Sequence, residues 1–190
     1  MATLSERSML RRRDVLREFM SQHVELWRDE SPALVVGSRV YDGRADRRTL
    51  YRDAVGVDIV DGPGVDIVHN MERAPLPDSW ERFGVVDCVS VLEHSRAPWA
   101  LAAEIERSMR IGGKLVLSVP WVWRFHGYPD DYWRFTPAGV RALCPRISWD
   151  AMALSSCGEL HKRLDVVPVV EHRDFPHFAR TEVLAIGTRV

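Results

Sequence analysis

Lysine is nearly missing from this chain: of its 26 basic residues only Lys114 and Lys162 are lysines, and the rest are arginines. That bias suits GC-rich coding in a bacterial or phage source, and it leaves no Tyr-x-x-x-Lys pair of the kind found in many nicotinamide oxidoreductases. Cysteine is scarce too, with Cys88, Cys144 and Cys157 widely spaced and no C-x-x-C pair, which argues against a disulfide framework or a zinc ribbon. These thiols read as small buried hydrophobes. Net charge is close to nil, at −1, so the overall balance favours neither a polyanion nor a membrane surface as partner. Apolar runs such as Ala33–Gly37 fall far short of the roughly 20 residues of a membrane span, and Met1–Asp14 carries arginines without an apolar signal core. The expectation is a soluble cytoplasmic protein. Repeats and low-complexity tracts are also lacking.

What is present is enough apolar material, 46% of 190 residues, for one compact core. A single domain is expected, with an N-terminal helix within 1–30, a core over 33–120, and a later segment with edge strands over 121–190. In the first part Leu16, Phe19, Met20, His23, Val24 and Trp27 recur at steps of three and four, predicting an amphipathic helix docked on the core. Arg11, Arg12 and Arg13 fall on its wet face, broken by Glu6, Asp14 and Glu18, rather than forming a nucleic-acid arm.

From Ala33 the period changes. Short β-branched runs at Ala33–Val36, Ala54–Ile59, Val65–Val68, Val85–Val91 and Lys114–Val119 alternate with helical patterns, which predicts a doubly wound, mostly parallel α/β sheet of Rossmann-like type. The clearest helix is Pro98–Ile111, with Ser95 as N-cap and Gly112-Gly113 as stop. Thr136-Pro137 opens a short helix ending near Cys144. Two late runs, Ile147–Leu154 and Glu182–Thr188, predict an antiparallel pair at the sheet edge.

In such sheets ligands bind beyond the carboxyl ends of the strands, so strand ends are where chemistry is to be sought. The first strand ends at Gly37, which lets backbone approach a ligand closely, and the second ends at Asp58, placed to accept from ribose hydroxyls. Together they predict a nucleoside-containing cofactor. A dinucleotide site wants G-x-G-x-x-G to cradle pyrophosphate, and Gly37–Asp42 lacks its later glycines, which disfavours NAD.

Three further segments, Asn70–Asp78, Val85–His94 and Met109–Pro120, make residues 33–145 resemble the class I S-adenosylmethionine-dependent methyltransferases, in order as well as in content. The fifth strand running into His126-Gly-Tyr-Pro-Asp-Asp-Tyr-Trp-Arg-Phe-Thr136 is similar to the small bacterial methyltransferase type 11-like proteins, which often look like sugar or envelope-glycan modifiers. The resemblance implies that Gly37 and Ser38 face the methionine part of S-adenosylmethionine, Asp58 the ribose and Ile59 the adenine ring. It further implies that Asn70 and the Met71 N–H read the ring, and that the Val91 carbonyl meets the methionine ammonium. Two positions depart from the family: Asn70 stands where relatives usually have Asp, and Val35 where many have Glu or Asp.

A methyl sulfonium is already a good electrophile, so positioning the acceptor supplies most of the rate, and an oxygen acceptor needs a base as well. His126, Asp131 and His94 are the candidate catalytic residues, with Glu93 beside His94. Tyr128, Asp130, Tyr132, Trp133 and Arg134 form the expected wall for a small-molecule or sugar acceptor, since aromatic faces with interspersed charges suit such rings. His69, His161, His172 and His177 show no spacing with acids that demands a metal, so no metal ligand is assigned and metal dependence stays open. No basic stripe or Asn/Asp-Pro-Pro-Tyr/Phe motif points to nucleic acid. The expected function is methyl transfer to a hydroxyl. A cofactor-binding module without activity and an NAD(P)-dependent oxidoreductase are the alternatives.

Overall fold

The computed structural model describes residues 18–20, 30–41, 43–78, 80, 82–127, 129–156, 159–163 and 181–190, with residues 155, 156, 159–163 and 181 described by backbone alone. Strands β1 (Ala33–Val36), β2 (Ala54–Asp58), β3 (Ile67–Val68), β4 (Phe83–Val89) and β5 (Met109–Val122) pair in parallel in the spatial order β3-β2-β1-β4-β5. Strands β6 (Ile147–Ser156), β7 (Glu159–Arg163) and β8 (Thr181–Arg189) extend the sheet antiparallel, as β5-β8-β6-β7. Helix α1 (Pro98–Ser108) joins β4 to β5, and α2 (Pro137–Leu143) follows β5.

The central strands are buried on both faces, which is why they read as unbroken apolar runs. Leu34, Val36, Val86, Cys88, Leu115 and Leu117 pack on one side with Leu101 and Ile105 of α1 and Val140 of α2. On the other, Ala33, Val85, Val116, Leu184 and Ile186 pack with Phe19 and Met20. Residues 18–20 are helical, so the part of the predicted N-terminal helix that is described does dock by its stripe. Leu16, His23, Val24, Trp27 and Arg11–Arg13 lie outside the described residues. Cys88 and Cys144 are buried, and burial pushes the Cys144 thiol up to about 12. Cys157 lies outside the described residues.

Two expectations are corrected. First, α1 ends at Ser108 rather than Ile111, because Met109 already pairs with Phe83 in the sheet. Gly112 and Gly113 are therefore not a helix stop but a bulge, with register passing from Phe83↔Met109 to Val85↔Lys114. Gly112 takes φ +80°, and a Cβ on Gly113 would come within 3.0 Å of the Arg110 and Phe83 carbonyls, so the bulge needs glycine. The N-cap is Ala97, not Ser95. Thr136 caps α2 as expected, its hydroxyl accepting from the Gly139 N–H at 3.0 Å.

Second, the two late runs pair with each other antiparallel as expected, but neither is the outermost strand. β8 lies inside the sheet between β5 and β6, and β7 takes the edge. Val183, Leu184, Ala185 and Ile186 are all fully buried, as suits an interior strand. Among the described residues no helix is long and apolar enough to cross a membrane.

Candidate functional site at the carboxyl ends of the parallel strands

Strand order reverses at β1: the chain runs outward through β2 and β3 on one side, then crosses back to β4 and β5 on the other, and it is beyond the carboxyl ends at such a point that ligands bind in doubly wound sheets. Gly37 leaves β1 at φ +68°, with its N–H and that of Ser38 both bonded to the Val57 carbonyl, at 2.9 and 3.2 Å. A Cβ on Gly37 would sit 2.5 Å from Val91 Cγ2, so the turns after β1 and β4 meet where only a glycine fits. Asp58 closes the second strand, its two carboxyl oxygens accepting from the Arg39 and Val60 N–H groups at 3.1 Å each. A carboxylate offers about four acceptor directions, so this anchored group can still receive two ribose hydroxyls. Ile59 stands out beside it, 48% exposed.

Gly37, Ser38, Asp58, Ile59 and Val91 thus all lie at or just beyond the carboxyl ends of β1, β2 and β4. Asn70 folds its side-chain oxygen onto the Glu72 N–H at 3.1 Å, making a tight turn whose backbone presents Met71. The Met71 side chain is itself core. Val35 is buried between Gly56 and Asp87 of the neighbouring strands, a setting that suits the apolar side chain found there.

Beyond β4, Ser90 takes φ +57° and the chain turns through the single helical turn Leu92–His94. This throws Glu93 inward, 1% exposed, with His94 beside it. The segment after β5 is sewn to that turn: the Tyr132 and Trp133 N–H groups both donate to the Glu93 carbonyl, at 2.8 and 3.3 Å, and the Trp133 indole donates to the Ser95 carbonyl at 2.9 Å. His126 is thereby laid edge-on against His94, ring centroids 4.9 Å apart at 81°. Their Nε2 atoms lie 3.7 Å (His94) and 3.9 Å (His126) from Glu93 Oε1. A neighbouring pair, Glu93 and His94, and one histidine from far along the chain make one cluster.

Each imidazole is held by its other nitrogen. His94 Nδ1 lies 2.5 Å from the Asp130 carbonyl, and His126 Nδ1 lies 3.0 Å from Asp131 Oδ2 and 3.2 Å from the Arg124 carbonyl. Since all three partners only accept, both Nδ1 atoms carry the proton in the neutral rings, and both Nε2 lone pairs face Glu93. Burial lowers the pKa of His94 below its usual value, favouring that neutral form. Asp131 also accepts from the His126 N–H at 2.8 Å and from both terminal nitrogens of Arg134, whose hydrogen bonds hold its carboxyl down at about 2.

The expected acceptor wall divides in two. Tyr132, 41% exposed, and Trp133, 37% exposed, present ring surface, and Trp99 of α1 packs edge-on against Trp133 with centroids 5.9 Å apart. Asp130 accepts from the Tyr132 hydroxyl at 2.6 Å. Arg134, by contrast, spends its guanidinium on Asp131 and on the Trp123, Arg124 and Trp133 carbonyls, so it braces the segment from within. Tyr128 lies outside the described residues.

Sequence reasoning missed Glu72 and Trp99. One Glu72 oxygen accepts from the Ser95 hydroxyl at 2.5 Å and the Arg96 N–H at 3.0 Å, tying the turn after β3 to the start of α1. A carboxylate at a helix start is favoured by the helix dipole. Glu72→Ala is expected to lower stability by about 1 kcal/mol, as for loss of a helix cap, and urea unfolding of the two proteins checks this.

Residues 44–117 match the family model described as a methyltransferase domain. Among solved structures, a SAM-dependent methyltransferase from Archaeoglobus fulgidus is 14% identical and aligns over 93% of this chain and 94% of its own, with a TM-score of 0.62. The 1,6-didemethyltoxoflavin-N1-methyltransferase of Burkholderia thailandensis, bound to 1,6-didemethyltoxoflavin and S-adenosylhomocysteine, is 17% identical over 93% of this chain and 78% of its own, with a TM-score of 0.59. The N-methyltransferase NodS of Bradyrhizobium japonicum WM9, in complex with S-adenosylhomocysteine, is 12% identical over 91% and 86%, with a TM-score of 0.55. No curated protein matches the chain by sequence.

Proposed function

We propose that the chain is a class I S-adenosylmethionine-dependent methyltransferase, with S-adenosylmethionine as cofactor, that methylates a hydroxyl of a small molecule or glycan; the methyltransferase-domain match over residues 44–117 and the fold shared with solved methyltransferases support this. The observation that carries this reading is the His126–Asp131 pair set against Glu93 and His94, two and three residues beyond the Val91 that meets Gly37. An oxygen nucleophile must give up its proton as the methyl arrives, whereas a neutral amine can attack first, so a braced imidazole suits oxygen chemistry. In this reading the acceptor oxygen attacks the methyl carbon, the carbon–sulfur pair returns to sulfur, and the proton passes to His126 Nε2. Asp131 orients the ring and stabilises its charged form. Tyr132, Trp133 and Asp130 line the acceptor's approach, and a bacterial cytoplasm is the expected setting. The two relatives named as N-methyltransferases make a nitrogen acceptor the second reading.

In the cofactor half, Gly37 and Ser38 meet the methionine end, Asp58 the ribose, Ile59 and the Asn70–Met71 turn the adenine, and the Val91 carbonyl the ammonium. Asp58→Ala should weaken S-adenosylhomocysteine binding by about 1.5–3 kcal/mol, the usual worth of hydrogen bonds to a charged group. Calorimetry with unchanged affinity would remove Asp58 from the site. For the reaction, release of S-adenosylhomocysteine should depend on hydroxyl-bearing acceptors. Turnover supported only by amines in the same panel would replace the oxygen reading with the nitrogen one.

A further inference from the structure

We propose that Glu93, His94 and His126 form a binding site for one first-row divalent cation, which takes the acceptor hydroxyl on an open coordination position. One carboxylate oxygen and two imidazole nitrogens lie within 4.8 Å of one another, drawn from the turn after β4 and the segment after β5. In a tetrahedral site with bonds of about 2.0–2.1 Å the ligand atoms stand roughly 3.3 Å apart. The 3.7 and 3.9 Å separations from Glu93 Oε1 therefore need about half an ångström of closure, and no two ligand atoms of the cluster stand more than 4.8 Å apart.

The tautomers sharpen the case. Both Nδ1 protons are turned away, onto the Asp130 carbonyl and the Asp131 carboxylate, so both Nε2 lone pairs converge on a carboxylate that is itself an acceptor. Metal-binding histidines are oriented in this way, with the far N–H given to a carboxylate or backbone carbonyl. Here one histidine has each kind of support, and Asp131 is in turn gripped by Arg134. The donor set of two imidazoles and one carboxylate suits Zn²⁺, Mn²⁺, Fe²⁺ or Co²⁺ better than Mg²⁺ or Ca²⁺. Three protein ligands leave a position open, the pattern of catalytic rather than structural sites. Access is one-sided: Glu93 is sealed, while the His94 and His126 side chains are 13% and 24% exposed.

This inference rests on the oxygen-transfer reading for its use and changes the proton's route. The cation lowers the pKa of the bound hydroxyl, whose proton leaves to solvent on the open side. The resulting alkoxide forms the bond to the methyl carbon, and the carbon–sulfur pair returns to sulfur.

The test uses the full chain stripped with EDTA and titrated with Zn²⁺, Co²⁺, Mn²⁺ and Mg²⁺ by calorimetry, with Co²⁺ absorption reporting ligand geometry. One equivalent of Zn²⁺ or Co²⁺ should bind, with Mg²⁺ far weaker. His126→Ala should lower Co²⁺ affinity at least 100-fold, Asp131→Asn about 10- to 100-fold, and His69→Ala should leave it unchanged. Should His126→Ala unfold by circular dichroism, His126→Gln carries the same expectation. Absence of binding, or equal binding by wild type and the His126 variants, overturns the site. S-adenosylhomocysteine titrated into the same metal-free protein separates the two readings. Cofactor binding without cation binding overturns this inference alone, and cation binding without cofactor binding overturns the methyltransferase assignment instead.

Discussion

His126→Ala and Asp131→Asn are each expected to depress methyl transfer about 100- to 10,000-fold, the usual contribution of a positioned proton-transfer group, whether His126 takes the proton itself or holds a cation that activates the hydroxyl. S-adenosylhomocysteine affinity should stay within a factor of two or so, because neither residue touches the Gly37, Asp58 or Val91 positions. That split, turnover lost and cofactor binding kept, marks a group acting on the second substrate or in the transition state. Stability should move much less for His126, whose ring sits on a partly exposed segment, than for Asp131, which anchors Arg134. Full turnover in both variants would make the His126–Arg134 segment a structural strap and leave the chemistry to Glu93 and His94.

On the opposite face of the sheet, Arg47→Ala is expected to cost about 3–5 kcal/mol of stability, since it would strand a buried carboxylate. Asp87 lies in the middle of β4, fully buried, and receives two hydrogen bonds from the Arg47 guanidinium, at 2.9 and 2.5 Å, and one from the Tyr51 hydroxyl. Burial drives the Tyr51 pKa well above its normal value, so the phenol remains a donor and cannot replace the missing positive charge. Urea unfolding measures the loss. The double variant Arg47→Met, Asp87→Leu should regain most of it, because removing both charges removes the desolvation penalty together with the attraction. A loss under about 1 kcal/mol in Arg47→Ala would show that solvent reaches Asp87 easily.

The strands β1 to β5, their parallel pairing and the short helix at Pro137 were legible in the sequence, because two-sided burial writes continuous apolar runs and Thr-Pro writes a helix start. So were the strand ends at Gly37 and Asp58, on which the proposed cofactor site rests, since strand ends are marked by local glycine and acidic residues. The Gly112-Gly113 pair misled: glycine marks a break, and only the pairing of Met109 with Phe83 decided that the break is a strand bulge. The place of β8 was likewise not local information. Its run Val183–Ile186 reads as a buried strand, but insertion between β5 and β6 depends on how the last strands pack.

The composite groups lie furthest from the sequence. Asp87 with Arg47 and Tyr51, and Glu93 and His94 with His126, are joined across 30 to 40 positions of chain, a separation at which no periodicity operates. Local residue patterns determined most strands, the helix starting at Pro137 and the strand ends at Gly37 and Asp58, because helix and strand periods and turn chemistry act over a few neighbouring residues. Which carboxylate met which arginine, and which histidines turned their lone pairs toward Glu93, was decided only by the tertiary structure, where backbone hydrogen bonds from Tyr132 and Trp133 bind one loop to another.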